Sequence, residues 1–293
     1  MRNEFKVGKK ISMWVIFLVM TVLALSILAP IIWAIYTATK GELDYLFNVL
    51  GLPKKVELIN FAYVYEHIKC TVTSAAGQKE VGFFGMFFNS VLYSALDGFT
   101  SVMMPALLGY IVAKYKFKGR NLIHTFNLVV MILPIVGSLP AKLTMLKNFG
   151  IYDNLFLYVL TQNSAFGFYF LLISGAFKGL SWSYSEAAFI DGAGHLQVMF
   201  KIMFPMMMPT FAMIFILAFV SSWNTYTQFL MYLPSYPNLF LGMYYFQNRA
   251  SINYATTPQV LAGLIMVAIP SAILYASSQK LLASNFVVGG LKG

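Results

Sequence analysis

Charge is what this chain has least of. Only 10% of its 293 residues are Asp, Glu, Lys or Arg, and just ten are acidic. A soluble domain carries about 25% charged residues. With 59% hydrophobic residues and a mean hydropathy of +0.72, the composition excludes an ordinary soluble fold. Length is then a poor guide to domain number. A single cysteine, Cys70, excludes an intrachain disulfide and a cysteine-rich metal site; it reads as a small neutral filler. No G-x-x-x-x-G-K-[ST] is present, so ATP cannot be held in the P-loop manner. Gly192-x-Gly194 lacks the third glycine and the preceding strand of a dinucleotide site. His67, His124 and His195 lie far apart, with no H-E-x-x-H to hold a zinc ion. No G-x-S-x-G elbow occurs. The reading is therefore no enzyme, with no catalytic residues, no metal and no cofactor bound by this chain.

What is present is a series of long apolar runs. Residues 11–39 carry no charge over 29 positions, and about 20 suffice to cross the hydrocarbon. The run is too long for the core of a signal peptide, and no small-residue cleavage site follows. It reads as a first membrane helix, with Lys9 and Lys10 on the cytoplasmic side. Residues 40–81 carry five basic and five acidic residues, a balance suited to an external segment. Within it, Leu58, Phe61, Ala62 and Tyr65 have helical spacing and predict a short amphipathic helix. A second helix spans about 83–113, interrupted by Asp97. The basic loop 114–120 then belongs inside. A third helix covers 121–141, with Pro134 and Pro140 near its outer end. Residues 142–153 form an external turn. The fourth helix is 154–177, the fifth about 205–233 and the sixth 258–279, with Pro270 inside it. Under this arrangement the cytoplasmic side holds twelve basic and three acidic residues, and the remainder eight and seven. The net charge of +10 thus reflects membrane orientation, not nucleic-acid binding.

Between the fourth and fifth runs lies Glu186-Ala187-Ala188-Phe189-Ile190-Asp191-Gly192-Ala193-Gly194-His195, continuing to Ile202 and Pro205. Ser183 and Glu186 have the S-x-x-E spacing of a capping box, which predicts a helix from near Tyr184. Gly192 and Gly194 can take positive φ and end it. A second helical stretch runs from about Leu196 toward Pro205. Asp191 can cap this second helix or bond within the turn. The prediction is helix, glycine elbow, helix, just outside the hydrocarbon.

This stretch resembles the EAA loop of ABC importer permeases: Glu-Ala-Ala, three residues, Gly, nine residues, then Ile-x-Leu-Pro. Phe204 stands where the family usually has Leu, and Ser181 where many carbohydrate permeases have Pro. Asn89-Ser90 and the segment Gly109 to Lys114 resemble the start of the permease core, and the run Phe170 to Lys178 resembles the stretch leading into the EAA loop, while Trp223-Asn224 and the ending Gly289-Gly290-Leu291-Lys292-Gly293 are similar to the maltose-type, carbohydrate branch. The match covers about residues 85–293. The resemblance implies an all-α polytopic fold of the type I importer class, with six transmembrane helices and both termini cytoplasmic. Its parts are a cytoplasmic N-terminus (1–10), a first transmembrane helix (11–36), an extracytoplasmic segment (37–82), a permease core (83–281) with the coupling loop at about 180–205, and a cytoplasmic tail (282–293).

The resemblance further implies a permease subunit in the bacterial cytoplasmic membrane, forming half of a translocation path for a carbohydrate, in particular an oligosaccharide. Its partners would be a second permease in a pseudo-symmetric heterodimer, a dimer of ATPase subunits that bind ATP and Mg, an extracytoplasmic solute-binding protein, the carbohydrate and membrane lipid. The coupling loop comprises Ser183, Glu186, Ala187, Ala188, Asp191, Gly192, Gly194, Ile202 and Pro205. The tail residues Gly289, Gly290 and Lys292 would contact the ATPase pair. Asn163, Ser164, Trp223, Asn224 and Gln228 form a candidate substrate path, since amides and an indole suit sugar hydroxyls; the same groups also serve as glue between membrane helices. Asp97 reads either as a pathway group or as a paired carboxyl at a helix interface. Met203, Met206, Met207, Met208 and Met213 read as apolar packing. Two rival functions are a permease for a peptide or phosphonate and an ion-coupled secondary transporter, for which Asp97 alone is available and no internal repeat is visible.

Overall fold

The computed structural model describes residues 2–74, 77–133, 137–253 and 255–288, and the side chains within 12–73, 77–133, 137–248 and 255–282. The chain forms two compact units, Met1–Ile68 with Tyr245–Val267, and Lys69–Tyr244 with Ala268–Gly293.

The first unit begins with α1 (Arg2–Thr37), which the charge-free run 11–39 requires. Its side chains from 12 to 32 are exposed on every side. Two short helices come next, α2 (Glu42–Phe47) and α3 (Ile59–His67). The segment between them folds back on the end of α1, where helix carbonyls lack partners. Asn60 Nδ2 donates to the Ala38 and Lys40 carbonyls at 2.8 Å each. The Lys40 side chain is buried and its Nζ donates to Asn48 O at 2.6 Å. The predicted amphipathic helix is therefore present, but its inner face is different. Asn60 and Val64 point inward, while Leu58 and Tyr65 are exposed. Asn60 takes the inner position because its amide closes the end of α1.

The second unit opens with an antiparallel hairpin, β1 (Cys70–Ser74) on β2 (Gly77–Val81). The chain is mostly helical, as expected, and this hairpin is an addition to the all-α reading. Cys70 and Val72 are buried while Thr71 and Thr73 are exposed, a period of two. α4 (Phe83–Lys114) is the organising helix. It is flanked by α8 (Phe168–Gly179) and α12 (Met208–Trp223). A Cβ at Gly98 would lie 2.9 Å from the Phe215 ring and 3.2 Å from its carbonyl. Only a residue without a side chain lets α4 and α12 approach so closely.

Several expected spans are broken. The third consists of α5 (Arg120–Ile132) and α6 (Ser138–Asn148); Pro134 lies outside the described residues. The fourth is α7 (Leu155–Gln162) and α8, with Asn163 and Ser164 in the break. The fifth is reached through α10 (His195–Val198), a π-helical turn (Met199–Met203) and α11 (Phe204–Met206), then α12 and α13 (Thr227–Met231). α9 is Ser183–Ile190. The pair His195–Met206 and Met208–Trp223 bends by 71°. Pro205 and Pro209 flank the bend, and a proline cannot donate to the helical ladder. α14 (Leu239–Asn253) occupies the expected external loop, and α15 (Thr257–Val288) continues beyond residue 281, where the tail was expected to begin. Among the described residues three helices are long and apolar enough to cross a membrane, or four with the bent pair. Of the methionines, Met203, Met207 and Met213 are buried and Met206 and Met208 exposed.

Candidate functional site

The stretch 180–205 forms the expected elbow, with different details at its start. α9 is capped by Trp182, whose carbonyl accepts from Ser185 N at 2.9 Å and Glu186 N at 3.1 Å. The capping box between Ser183 and Glu186 does not form. Ser181 Oγ lies 2.6 Å from Ser183 Oγ and accepts from Ser183 N, so the local hydroxyl pair replaces the carboxylate. Glu186 is left exposed, with no hydrogen bond or ion pair among the described residues. Ala187, Asp191 and Ile190 are exposed beside it.

The end of α9 is a Schellman motif. Ala193 N donates to Ala188 O at 2.9 Å, and Gly192 N to Phe189 O at 3.1 Å. Gly192 has φ +83, as the sequence predicts. Gly194 does not; at φ −77 and ψ 161 it is the extended N-cap of α10. Its N–H donates to Gln197 Oε1 at 3.0 Å, the half of a capping box that a glycine can make. Asp191 consequently caps nothing in the second helix; it ends the first, its N–H bonding Ala187 O. A glycine takes the N-cap with Gln197's help, so no carboxylate is needed there.

The inner side of the elbow is firmly held. Ala188, Val198, Met199, Met203 and Phe204 join one buried cluster with Tyr110, Phe177 and Phe211, and Ile202 packs against it. Tyr110 meets the Phe177 ring at 5.3 Å and the Phe204 ring at 6.2 Å, both edge to face. Pro205 is exposed at the start of α11. The basic loop clamps the entrance: Lys114 Nζ donates to Leu180 O at 2.6 Å. Tyr115 OH lies 3.0 Å from His195 Nδ1, and its ring meets Trp182. Sequence reasoning read Lys114 as the end of the segment quoted for the family likeness and the start of a basic loop, and Tyr115 only as part of that loop.

A second polar assembly lies at the break between α7 and α8. Asn163 Nδ2 donates to Asp97 Oδ1 at 2.8 Å and lies 2.7 Å from Thr100 Oγ1, while Ser101 Oγ donates to Asn163 Oδ1 at 2.9 Å. Ser222 Oγ donates to Asp97 Oδ2. One carboxylate thus joins α4, the break and α12. Of the candidate path residues, Asn163 is committed to this junction. Ser164 Oγ accepts from Phe166 N at 3.1 Å, a local turn bond. Trp223 is 1% exposed, parallel to the Phe219 ring at 6.0 Å and edge-on to Phe87. Asn224 is exposed at the end of α12, and Gln228 Oε1 accepts from Thr225 Oγ1 at 2.7 Å. The tail residues Gly289, Gly290 and Lys292 lie outside the described residues.

Residues 106–286 match the family described as binding-protein-dependent transport system inner membrane component. The chain belongs to this family. The permease is 26% identical over 299 residues to the maltodextrin transport system permease protein MalD of Streptococcus pneumoniae, covering 100% of both chains. It is 27% identical over 289 residues to the arabinooligosaccharides permease AraQ of Halalkalibacterium halodurans, covering 96% of each. A chain of a bacterial ABC transporter that imports the acidic polysaccharide alginate superposes with a TM-score of 0.74 at 24% identity, over 93% of the permease and 97% of that chain. At that identity the likeness establishes the fold. The elbow, the clamp at Lys114 and the bent pair all fall within the matched region of the permease.

Proposed function

We propose that this permease is one membrane subunit of an ATP-driven importer for a carbohydrate, an oligosaccharide by size. It crosses the bacterial plasma membrane six times, with both termini cytoplasmic, and pairs with a second permease. ATP and Mg belong to a dimer of separate ATPase subunits, and an extracytoplasmic binding protein delivers the solute. The sugar assignment rests on relatives named for maltodextrin and arabinooligosaccharides. The observation that carries the coupling role is the elbow itself. Its exposed side presents Glu186 free, while its inner side is built into the core beside α4. A load on α9 is therefore a load on the membrane helices. The inward and outward states differ in solute contacts, which lets the solute respond to that movement. The test is uptake of labelled maltodextrins and arabinooligosaccharides by vesicles holding the full complex, compared with the purified lone chain. Uptake should require the ATPase and the second permease. Ion-driven uptake by the lone chain would refute the proposal, and uptake of peptides in place of sugars would refute its substrate class.

A further inference from the structure

The segment between α1 and α3 exposes an apolar surface that the importer reading does not use. Phe47 is 86% exposed, Leu50 78% and Leu52 72%, with Leu43 and Leu46 beside them on α2. An external segment facing water has no reason to carry so many large apolar side chains together.

Its height relative to the membrane is fixed by hydrogen bonds. From Ser12 to Trp33, α1 rises about 32 Å at ~1.5 Å per residue, close to the ~30 Å hydrocarbon thickness. Its side chains from 13 to 32 are apolar or bonded to their own backbone, as Thr21 and Ser26 are, and all are exposed. Trp33 and Tyr36 come next, at the level where interfacial aromatic residues concentrate. The Trp33 indole donates to Val49 O at 3.0 Å, and the Tyr36 hydroxyl to Leu50 O at 2.6 Å. Lys40 Nζ holds Asn48 O and Val49 O from the other side. The backbone of 48–50 is thereby tied to the interface-level turns of α1 and cannot stand away from the bilayer.

The surrounding chemistry fits a lipid boundary. Lys54 and Lys55 are exposed just beyond the apolar group, where they reach phosphate headgroups. Asp44 Oδ2 accepts from Lys54 N at 2.8 Å, which turns that carboxylate toward its own backbone. We infer that residues 42–56 form a lipid-embedded collar around the outer end of α1, with Phe47, Leu50 and Leu52 inserted at the headgroup and acyl boundary of the outer leaflet. The collar's occupant is phospholipid. Interfacial segments of this kind bury their apolar side about 5–10 Å deep. The inference rests on α1 being a membrane span.

The test uses the full importer complex in vesicles, with Cys70→Ser and a single bimane label at Phe47→Cys, Leu50→Cys, Lys55→Cys or Leu23→Cys. All four labelled positions are exposed, so the fold should tolerate them. Labels at 47 and 50 should lose at least half their emission in lipids brominated high on the acyl chain and much less in lipids brominated near the tail. The label at 55 should be little quenched, and that at 23 quenched by deep bromines alone. Red-shifted, unquenched emission at 47 and 50 would place the collar in water and overturn the inference. Blue-shifted, unquenched emission there would mean that a protein subunit covers it, which also overturns it. Failure of the label at 23 to respond to any brominated lipid would instead remove the membrane placement of α1.

Discussion

Replacing Gly192 by residues that differ in backbone tolerance separates shape from contact in the elbow. Gly192 sits at φ +83, and a Cβ built there meets nothing within 4 Å. Alanine would therefore add no clash, only backbone strain of about 1–2 kcal/mol, which lowers the population of the closed Schellman turn about 5- to 30-fold relative to its alternatives. Asparagine tolerates this region and should cost least, whereas valine is branched at Cβ and should cost most. Opening the turn would free the Ala193 and Gly192 N–H groups and let α9 rotate on α10. Membrane insertion should not change, because the strain lies outside the hydrocarbon. The assay is co-purification of the ATPase together with solute-stimulated ATP hydrolysis in vesicles. Both should fall in the order Gly192→Asn, Gly192→Ala, Gly192→Val. If Gly192→Val retained full coupling, backbone shape at this turn would not matter. If Gly192→Asn were worse than Gly192→Ala, side-chain size against the partner would be the cause, and the strain argument would fail.

A double-mutant cycle on Asp97→Ala and Asn163→Ala should give a coupling of about 0.6–1.7 kcal/mol in detergent unfolding; strictly additive effects would show that the junction joins no elements. Single-cysteine labelling with an impermeant reagent should reach Lys54→Cys from outside intact cells and spare Lys118→Cys, and labelling of the latter would reverse the orientation. Deleting 289–293 should lower solute-stimulated ATP hydrolysis without reducing the amount of inserted chain, and unchanged transport would mean that the glycine-rich end is a frayed terminus.

The elbow was legible because its signal is local. Glycine at the end of a short helix needs no tertiary partner to take positive φ, so Gly192 could be read from spacing alone. Its neighbours could not. Ser183 has two acceptable partners, Glu186 and Ser181, and sequence spacing favours the first whereas the folded chain uses the second. The spans show the same limit. A run without charge predicts burial in hydrocarbon but not continuity of the helix, and Asn163 interrupts the fourth run because Asp97 lies across from it. The hairpin was missed for a different reason. Five-residue strands with threonine on one side carry a weak period-two signal, and Lys79 and Glu80 made the segment look like loop.

α4 contributes to both polar sites. Its C-terminal end supplies Tyr110 to the cluster beneath the elbow and Lys114 to the Leu180 carbonyl. About four turns earlier, Asp97 takes hydrogen bonds from the break at Asn163 and from Ser222 on α12. A side-chain path that ran through loops would dissipate a small displacement, because loops have many near-equal conformations. A packed helix has few, so movement at one end must be matched at the other. Gly98 tightens the constraint, since its contact with Phe215 leaves α4 no slack against α12 at the level of Asp97. The chain thus places the Asp97 carboxyl where the rigid helix meets the two interrupted ones. At that point a shift of α4 must either be shared by α12 and the α7–α8 break or break hydrogen bonds in a medium that offers no replacement.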